Sequence, residues 1–447
     1  KDLKKIILNE HDMKTKNLEQ GKIMYKWAKD LFPLNRSLTG KGTRDTLKYI
    51  RKIIPEIKIF EVPSGKKVFD WRVPNEWNVK EAWIKDKKGK KICNFLDNNL
   101  HLVGYSKPIK KIISLEKLQN HLYSLPKQPT AIPYVTSYYK ENWGFCISHA
   151  ERKKLIPGDY EVCIDSSLSP GHLTYGEIIL HGKKKREILL STYICHPSLA
   201  NNELSGPVVA TAILKYLKTL KNREYTYRVI FIPETIGSIT YLSKHYKKLK
   251  KNLDAGFVLT CLGDDNSYSM VESRYGNTLA DNISKHVLKY HDSKYLYYPF
   301  LERGSDVRQY SAPGIDLPVC ELMRTKYGEY KEYHTSLDNL NYITEKGLQG
   351  GFDIVKKCIE ILEKNKIFKV NMLCEPQLSK RQLYPDISTK NKDEKVRCMI
   401  NFIAYCDGSK NLLEIAEKIK KNAHDLFDVA DTLLQKKVIS LVKNSHK

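Results

Sequence analysis

The chain has 447 residues, room for two or three domains at about 150 residues each. Hydrophobic residues make up 41% and charged residues 28%, which excludes a disordered chain, a fibre and a small disulfide scaffold. Lys plus Arg exceed Asp plus Glu by 76 to 51, giving +25, yet only 14 of the 76 are Arg, the residue a nucleic-acid reader recruits for bidentate contacts.

The lysines cluster where solvated turns belong. Lys85–Lys91 separates two short apolar runs like a hairpin tip, Lys183–Arg186 lies between two strand-like segments, and Lys247–Lys251 ends a helix. No apolar run approaches the ~18–20 residues of a membrane span. Lys1–Lys16 does not read as a secretory leader. The ten cysteines include no CxxC pair, and Cys195, Cys261, Cys320 and Cys358 lie in apolar runs, as buried reduced thiols do. A cytoplasmic chain without a membrane partner is the expectation.

In chain order, Asn17 to Phe60 carries a helix ending in Ile53–Phe60 and is expected to belong to the same layer as the α/β region. Residues 66–160 are rich in Trp, Tyr, Asn and Pro with short alternating runs, and read as a small β-rich insertion. From about 170 to 365 continuous apolar strands alternate with helices. Strands are expected at 187–194, 227–233, 255–262 and 315–321, with helices from Ser205 and from about Ser238. Glu375–Lys395 reads as a linker, and the three helical segments and short strand beyond it as a winged helix. The fold class is therefore α/β. A mostly parallel sheet flanked by helices spans 1–65 and 161–374, the β-rich domain is inserted at 66–160, and a linker plus winged helix fills 375–447.

Chemistry in such a sheet collects past the C-terminal ends of its strands. His196 follows one strand, Glu234 the next, and His334 lies far downstream. Two imidazoles and a carboxylate suit metal-assisted hydrolysis. Each also has a plain alternative: a strand-end His making a hydrogen bond, and Glu234 capping the following helix.

Taken together, Leu31–Gly40, Trp71–Pro74, Tyr175–Glu177, Cys195–Ser198, Pro233–Gly237 and Tyr333–Asp338 resemble bacterial aminopeptidase-like proteins that accompany polysaccharide-biosynthesis genes. These are similar to the zinc aminopeptidase clan that also contains glutaminyl cyclases. The resemblance implies a single zinc ion held by His196, Asn202 and His334, with Glu234 as the general base. It implies substrate contacts from Arg36, Arg324 and Tyr327, and a small-molecule or peptide-like substrate. Three clan carboxylates are replaced: the bridging Asp by Asn202, the second Glu by Thr235, and the third-strand Asp by Thr260 or a neighbour. Glu203 follows Asn202, but one residue on in a helix points about 100° away. Two readings stay open, a metal-dependent amide or peptide hydrolase and a degenerate site that binds a ligand or partner without catalysis.

Asp306 is expected to cap a turn, and Asp338 to orient His334 or cap its turn. The would-be recognition helix of the tail carries Asp425, Asp428 and Asp431 and no base until Lys436, so no nucleic-acid partner is expected. A second copy of the chain remains a possible partner.

Overall fold

In the computed structural model, residues 18–383 and 390–442 are described. Lys1–Lys16 and the central part of the expected linker fall outside them. The described residues form two compact units, one running to Asp281 and from Lys294 to Asp353, the other from Asn282 to Ser293 and from Ile354 onward.

An eight-stranded sheet organises the first unit. Its spatial order is Lys58–Pro63, His172–Leu180, Thr226–Ile232, Glu187–Tyr193, Leu253–Leu259, Val319–Met323, Ser269–Val271 and Leu296–Tyr298. The four central strands run parallel. Antiparallel neighbours flank them on both sides. Every residue of Glu187–Tyr193 and Thr226–Ile232 is buried, as continuous apolar strands covered on both faces must be. The expected strand at 315–321 starts later, at Val319. Gly314 and Asp316 adopt positive φ, and Pro318, which lacks an N–H, delays the start of pairing.

Helix Ser205–Thr219 packs against this sheet through Gly206. A Cβ there would lie 2.4 Å from both Leu259 O and Thr192 Oγ1. At the opposite end of the strands, Arg228 is buried and grips Glu187 through Nε at 2.6 Å and Nη2 at 3.1 Å, and also reaches Glu177.

A four-stranded antiparallel sheet, ordered Lys91–Asn94, Glu76–Lys85, Asp159–Ser169 and Ile109–Ser114, forms the β-rich region. Lys85–Lys91 is its hairpin connection. The strand Asp159–Ser169 runs past residue 160 before the chain enters the large sheet at His172. The segment after it in space is tied back: Tyr134 N donates to His334 O at 2.8 Å and Ser336 N to Ile132 O at 2.8 Å.

The second unit contains a three-stranded sheet ordered Asp407–Asn411, Ile367–Val370 and Ile439–Leu441, with helices Lys390–Ala404, Leu412–Ile419 and Phe427–Gln435. Its central strand lies before residue 375, within the expected α/β range. A reciprocal cap between Asn411 and Glu414 starts the second helix. Asp425, Asp428 and Asp431 are exposed.

Glu321, on the fourth parallel strand, is fully buried; Oε2 accepts from Tyr327 Oη at 2.6 Å and Oε1 has no partner. Burial, followed by the nearby charges of Asp306 and Glu234, pushes its carboxyl up to about 8. The unfolded chain releases that proton near the ordinary value of 4.5, the folded chain only near 8, so this group's contribution to stability falls as pH rises between them. Glu321→Gln should therefore exceed the native protein in urea-midpoint stability by on the order of 1–3 kcal/mol at about pH 8, the gap closing near pH 4.5. Gly206→Ala should cost about 1–3 kcal/mol or more in the same melts, because backbone and sheet must separate.

Candidate active site

Three side chains foreseen from the sequence meet at the C-terminal ends of the parallel strands. His196 leaves Glu187–Tyr193, Glu234 leaves its neighbour Thr226–Ile232, and the His334 loop returns over both. His196 Nε2 is 3.6 Å from Glu234 Oε2. The two imidazole centroids are 5.5 Å apart, and the Tyr134 ring packs beside both at 5.2 and 5.1 Å.

Glu203 gives His196 its orientation. His196 Nδ1 and Glu203 Oε2 are 2.8 Å apart, so Nδ1 carries a hydrogen toward Glu203 while Nε2 faces Glu234; burial disfavours the charged ring, but the Glu203 hydrogen bond and the charges of Glu203 and Glu234 outweigh it and raise the imidazole. Residues Ala200–Leu204 form a π-helical turn rather than an α-helical one. On this turn Glu203 takes the Nδ1 side of His196 while Asn202 turns to Tyr193, so the two neighbours engage different partners.

Asn202 sits on the same turn. Its Nδ2 donates to Tyr193 Oη at 2.8 Å, which assigns Oδ1 as the free oxygen, and the Tyr193 ring lies 5.3 Å from His196. Among the described residues Oδ1 is buried without a hydrogen-bond partner, and so is His334 Nε2. Burial, aided by His196, depresses His334 to about 3, leaving it a neutral imidazole at any physiological pH. An amide oxygen and two neutral imidazole nitrogens are donors zinc accepts, and burying two of them unpaired is costly unless something binds there. The donor set fits a zinc ion, although it brings no negative charge.

Cys195, His196 and Glu203 also bring ligand-type atoms within 4.8 Å of one another. They do not make a metal centre here. Glu203 Oε1 is 3.5 Å from Arg36 Nε, Cys195 Sγ accepts from Glu234 N at 3.1 Å, and a dication would face the guanidinium.

Backbone strain concentrates at these loops. Ser198, Thr235, Cys261 and His334 all have positive φ, and for the β-branched Thr235 the value is 61°. Asp306 secures the Thr235 turn: Oδ1 accepts from Thr235 N and from Ser238 Oγ, both at 2.8 Å. Asp338 accepts from Asn201 N at 2.6 Å and Asn202 N at 2.9 Å, holding the Asn202 turn rather than the His334 ring. Glu234 does not cap the next helix, whose N-cap position is Thr235 and has no side-chain cap. Its side chain is 20% exposed, against 3% for His196, so it opens to the cleft.

The three expected substrate contacts are buried. Arg36 is fully buried, donating to His196 O at 2.9 Å and Leu31 O at 2.7 Å. Arg324 donates to Ser267 O at 2.8 Å and stacks 3.8 Å from the Tyr268 ring centroid. Tyr327 bonds Glu321 and receives Gly304 N. All three are tied to internal partners. Tyr134 and Tyr138 of the insertion were not foreseen, since nothing in their spacing marks a long-range contact.

The family described as "Domain of unknown function (DUF4910)" matches residues 25–365, and a winged helix-turn-helix family matches 366–441. A Clostridium acetobutylicum protein, provisionally named a polysaccharide biosynthesis protein with aminopeptidase-like domain, is 44% identical over 428 residues, 95% of this chain and 97% of that one. A crystal structure from Clostridium acetobutylicum, provisionally named a peptidase, is similar with a TM-score of 0.90 at 42% identity, covering 97% of this chain and 99% of the other. A zinc aminopeptidase of Bacillus subtilis shares the fold at 14% identity, with a TM-score of 0.55 over 76% of this chain and 94% of that one. The chain has the aminopeptidase-like α/β fold and belongs to the DUF4910 family, with a winged helix at its C-terminus.

Proposed function

We propose that this protein is a zinc-dependent hydrolase of an amide or peptide bond, with zinc held by His196, Asn202 and His334 and Glu234 as general base. The observation that carries the reading is the pair of unpartnered buried acceptors, Asn202 Oδ1 and His334 Nε2, beside a His196 whose Nδ1 is already engaged. Bound there, zinc would supply Lewis acidity to the scissile carbonyl and acidify water. Glu234, at 3.6 Å from His196 Nε2 and open to the cleft, takes the proton and returns it to the leaving nitrogen. Glu203 keeps the hydrogen on His196 Nδ1, and Tyr134 fixes the spacing of the two imidazoles.

The name of the Clostridium acetobutylicum relative supports a surface-glycan precursor as the bearer of the amide. A cytoplasmic setting fits ten free cysteines. No helix among the described residues is long and apolar enough to cross a membrane. Nucleic acid is not part of the reading, because the exposed Asp425, Asp428 and Asp431 would meet phosphates. The neutrality of Asn202 favours a second reading, a ligand-binding relic without turnover.

Glu234→Gln should retain zinc and lose about 10²–10⁴-fold in hydrolysis, measured on zinc-loaded protein against a panel of aminoacyl anilides and amino-sugar amides. Equal rates for the two proteins would reject Glu234 as the base, and no turnover of any panel member by the loaded native protein would favour the relic. Glu203→Gln should weaken zinc binding by about 10- to 100-fold in competition with a chromogenic chelator. Asn202→Asp should tighten it in that same assay, since a carboxylate adds the missing negative charge.

A further inference from the structure

We propose that Arg308 is the anion anchor of this cleft, so that the substrate carries a carboxylate or similar anionic group next to the bond presented to Glu234. The inference rests on the preceding reading in taking Glu234 to mark the reaction centre. Arg308 lies in the short turn Val307–Tyr310, directly after Asp306. Asp306 holds Thr235 N at 2.8 Å, and Arg308 Nη2 donates to Thr235 Oγ1. The guanidinium is thereby fixed to the residue that follows Glu234.

Its side chain is exposed, and it makes no other hydrogen bond or ion pair among the described residues. A guanidinium has five N–H donors, so one engaged donor leaves an edge able to take a carboxylate in bidentate fashion. Three other cations of this region are occupied. Arg36 is buried against Glu203, Arg324 turns to Ser267 and Tyr268, and Lys326 is 5% exposed between Glu329 and two tyrosine rings. Tyr138, from the insertion, and Tyr333 each lie in the fields of both Glu234 and Arg308.

A purely structural Arg308 would hold the Thr235 turn and be indifferent to ligand charge. Glucuronate and its neutral isostere glucuronamide separate the two roles. Isothermal titration of the full chain should show glucuronate binding at least tenfold more tightly than glucuronamide, the preference weakening with added salt. Arg308→Gln should abolish that preference and Arg308→Lys should keep part of it, with circular dichroism confirming that both variants fold. Equal binding of the two sugars by native protein, binding of neither, or an unchanged preference in Arg308→Gln would overturn the proposal. Zinc titration of the same samples keeps the two claims apart. A glucuronate preference without zinc binding removes the hydrolase reading and leaves the anchor standing, whereas zinc binding without the preference removes the anchor alone.

Discussion

Glu203 lies between a histidine and an arginine with no access to water, 2.8 Å from His196 Nδ1 and 3.5 Å from Arg36 Nε. Burial pushes the Glu203 carboxyl up while the His196 hydrogen bond and the His196 and Arg36 charges pull it back, and removing both neighbours would leave an uncompensated buried charge at a cost of about 3–5 kcal/mol. Arg36 in turn reaches back to Leu31 O, so the first helix, its following loop and the His196 strand end are locked by one chain of polar contacts. The consequence for chemistry is a single ring orientation. With Nδ1 engaged, His196 can offer only Nε2, and Nε2 faces Glu234.

The surrounding loops hold unusual backbone to serve that arrangement. Positive φ at Ser198, Thr235, Cys261 and His334 costs of order 1–3 kcal/mol each and persists because neighbouring groups over-determine it. Asp306 pins Thr235, Asp338 pins the Asn202 turn, and Tyr134 pins His334 through its backbone. The last contact brings the β-rich region against the site. Its segment around Tyr134 lies against both histidines, so a change in the insertion is felt at the cleft.

Much of this was readable from residue order. Apolar strands at Glu187–Tyr193 and Thr226–Ile232 announced a doubly covered parallel sheet, and the sheet then fixed where His196 and Glu234 had to lie. Glu203 was set aside as a stand-in metal ligand and bonds His196 Nδ1 instead; its role in orienting that ring, from a π-helical turn, is not revealed by five residues of sequence. Arg36, Arg324 and Tyr327 were read as ligand contacts because polar groups beside a motif suggest binding. In the structure each is buried and paired with a carbonyl, an aromatic face or a carboxylate, at separations from 6 to 160 residues. Long-range pairing of this kind leaves no periodic signal, which is also why Tyr134 and Tyr138 went unrecognised.

The central claim is that neutral donors, two imidazoles and one amide, suffice to hold a metal because their unpaired lone pairs have no other partner. X-ray absorption at the zinc edge, with metal content on the same chelator-washed and reloaded samples, tests it directly. The account predicts about one zinc per chain and a shell of nitrogen and oxygen donors with two imidazole contributions, reduced to one in His334→Ala. Zinc bound through sulfur, or no zinc retained at saturating concentration, would contradict it.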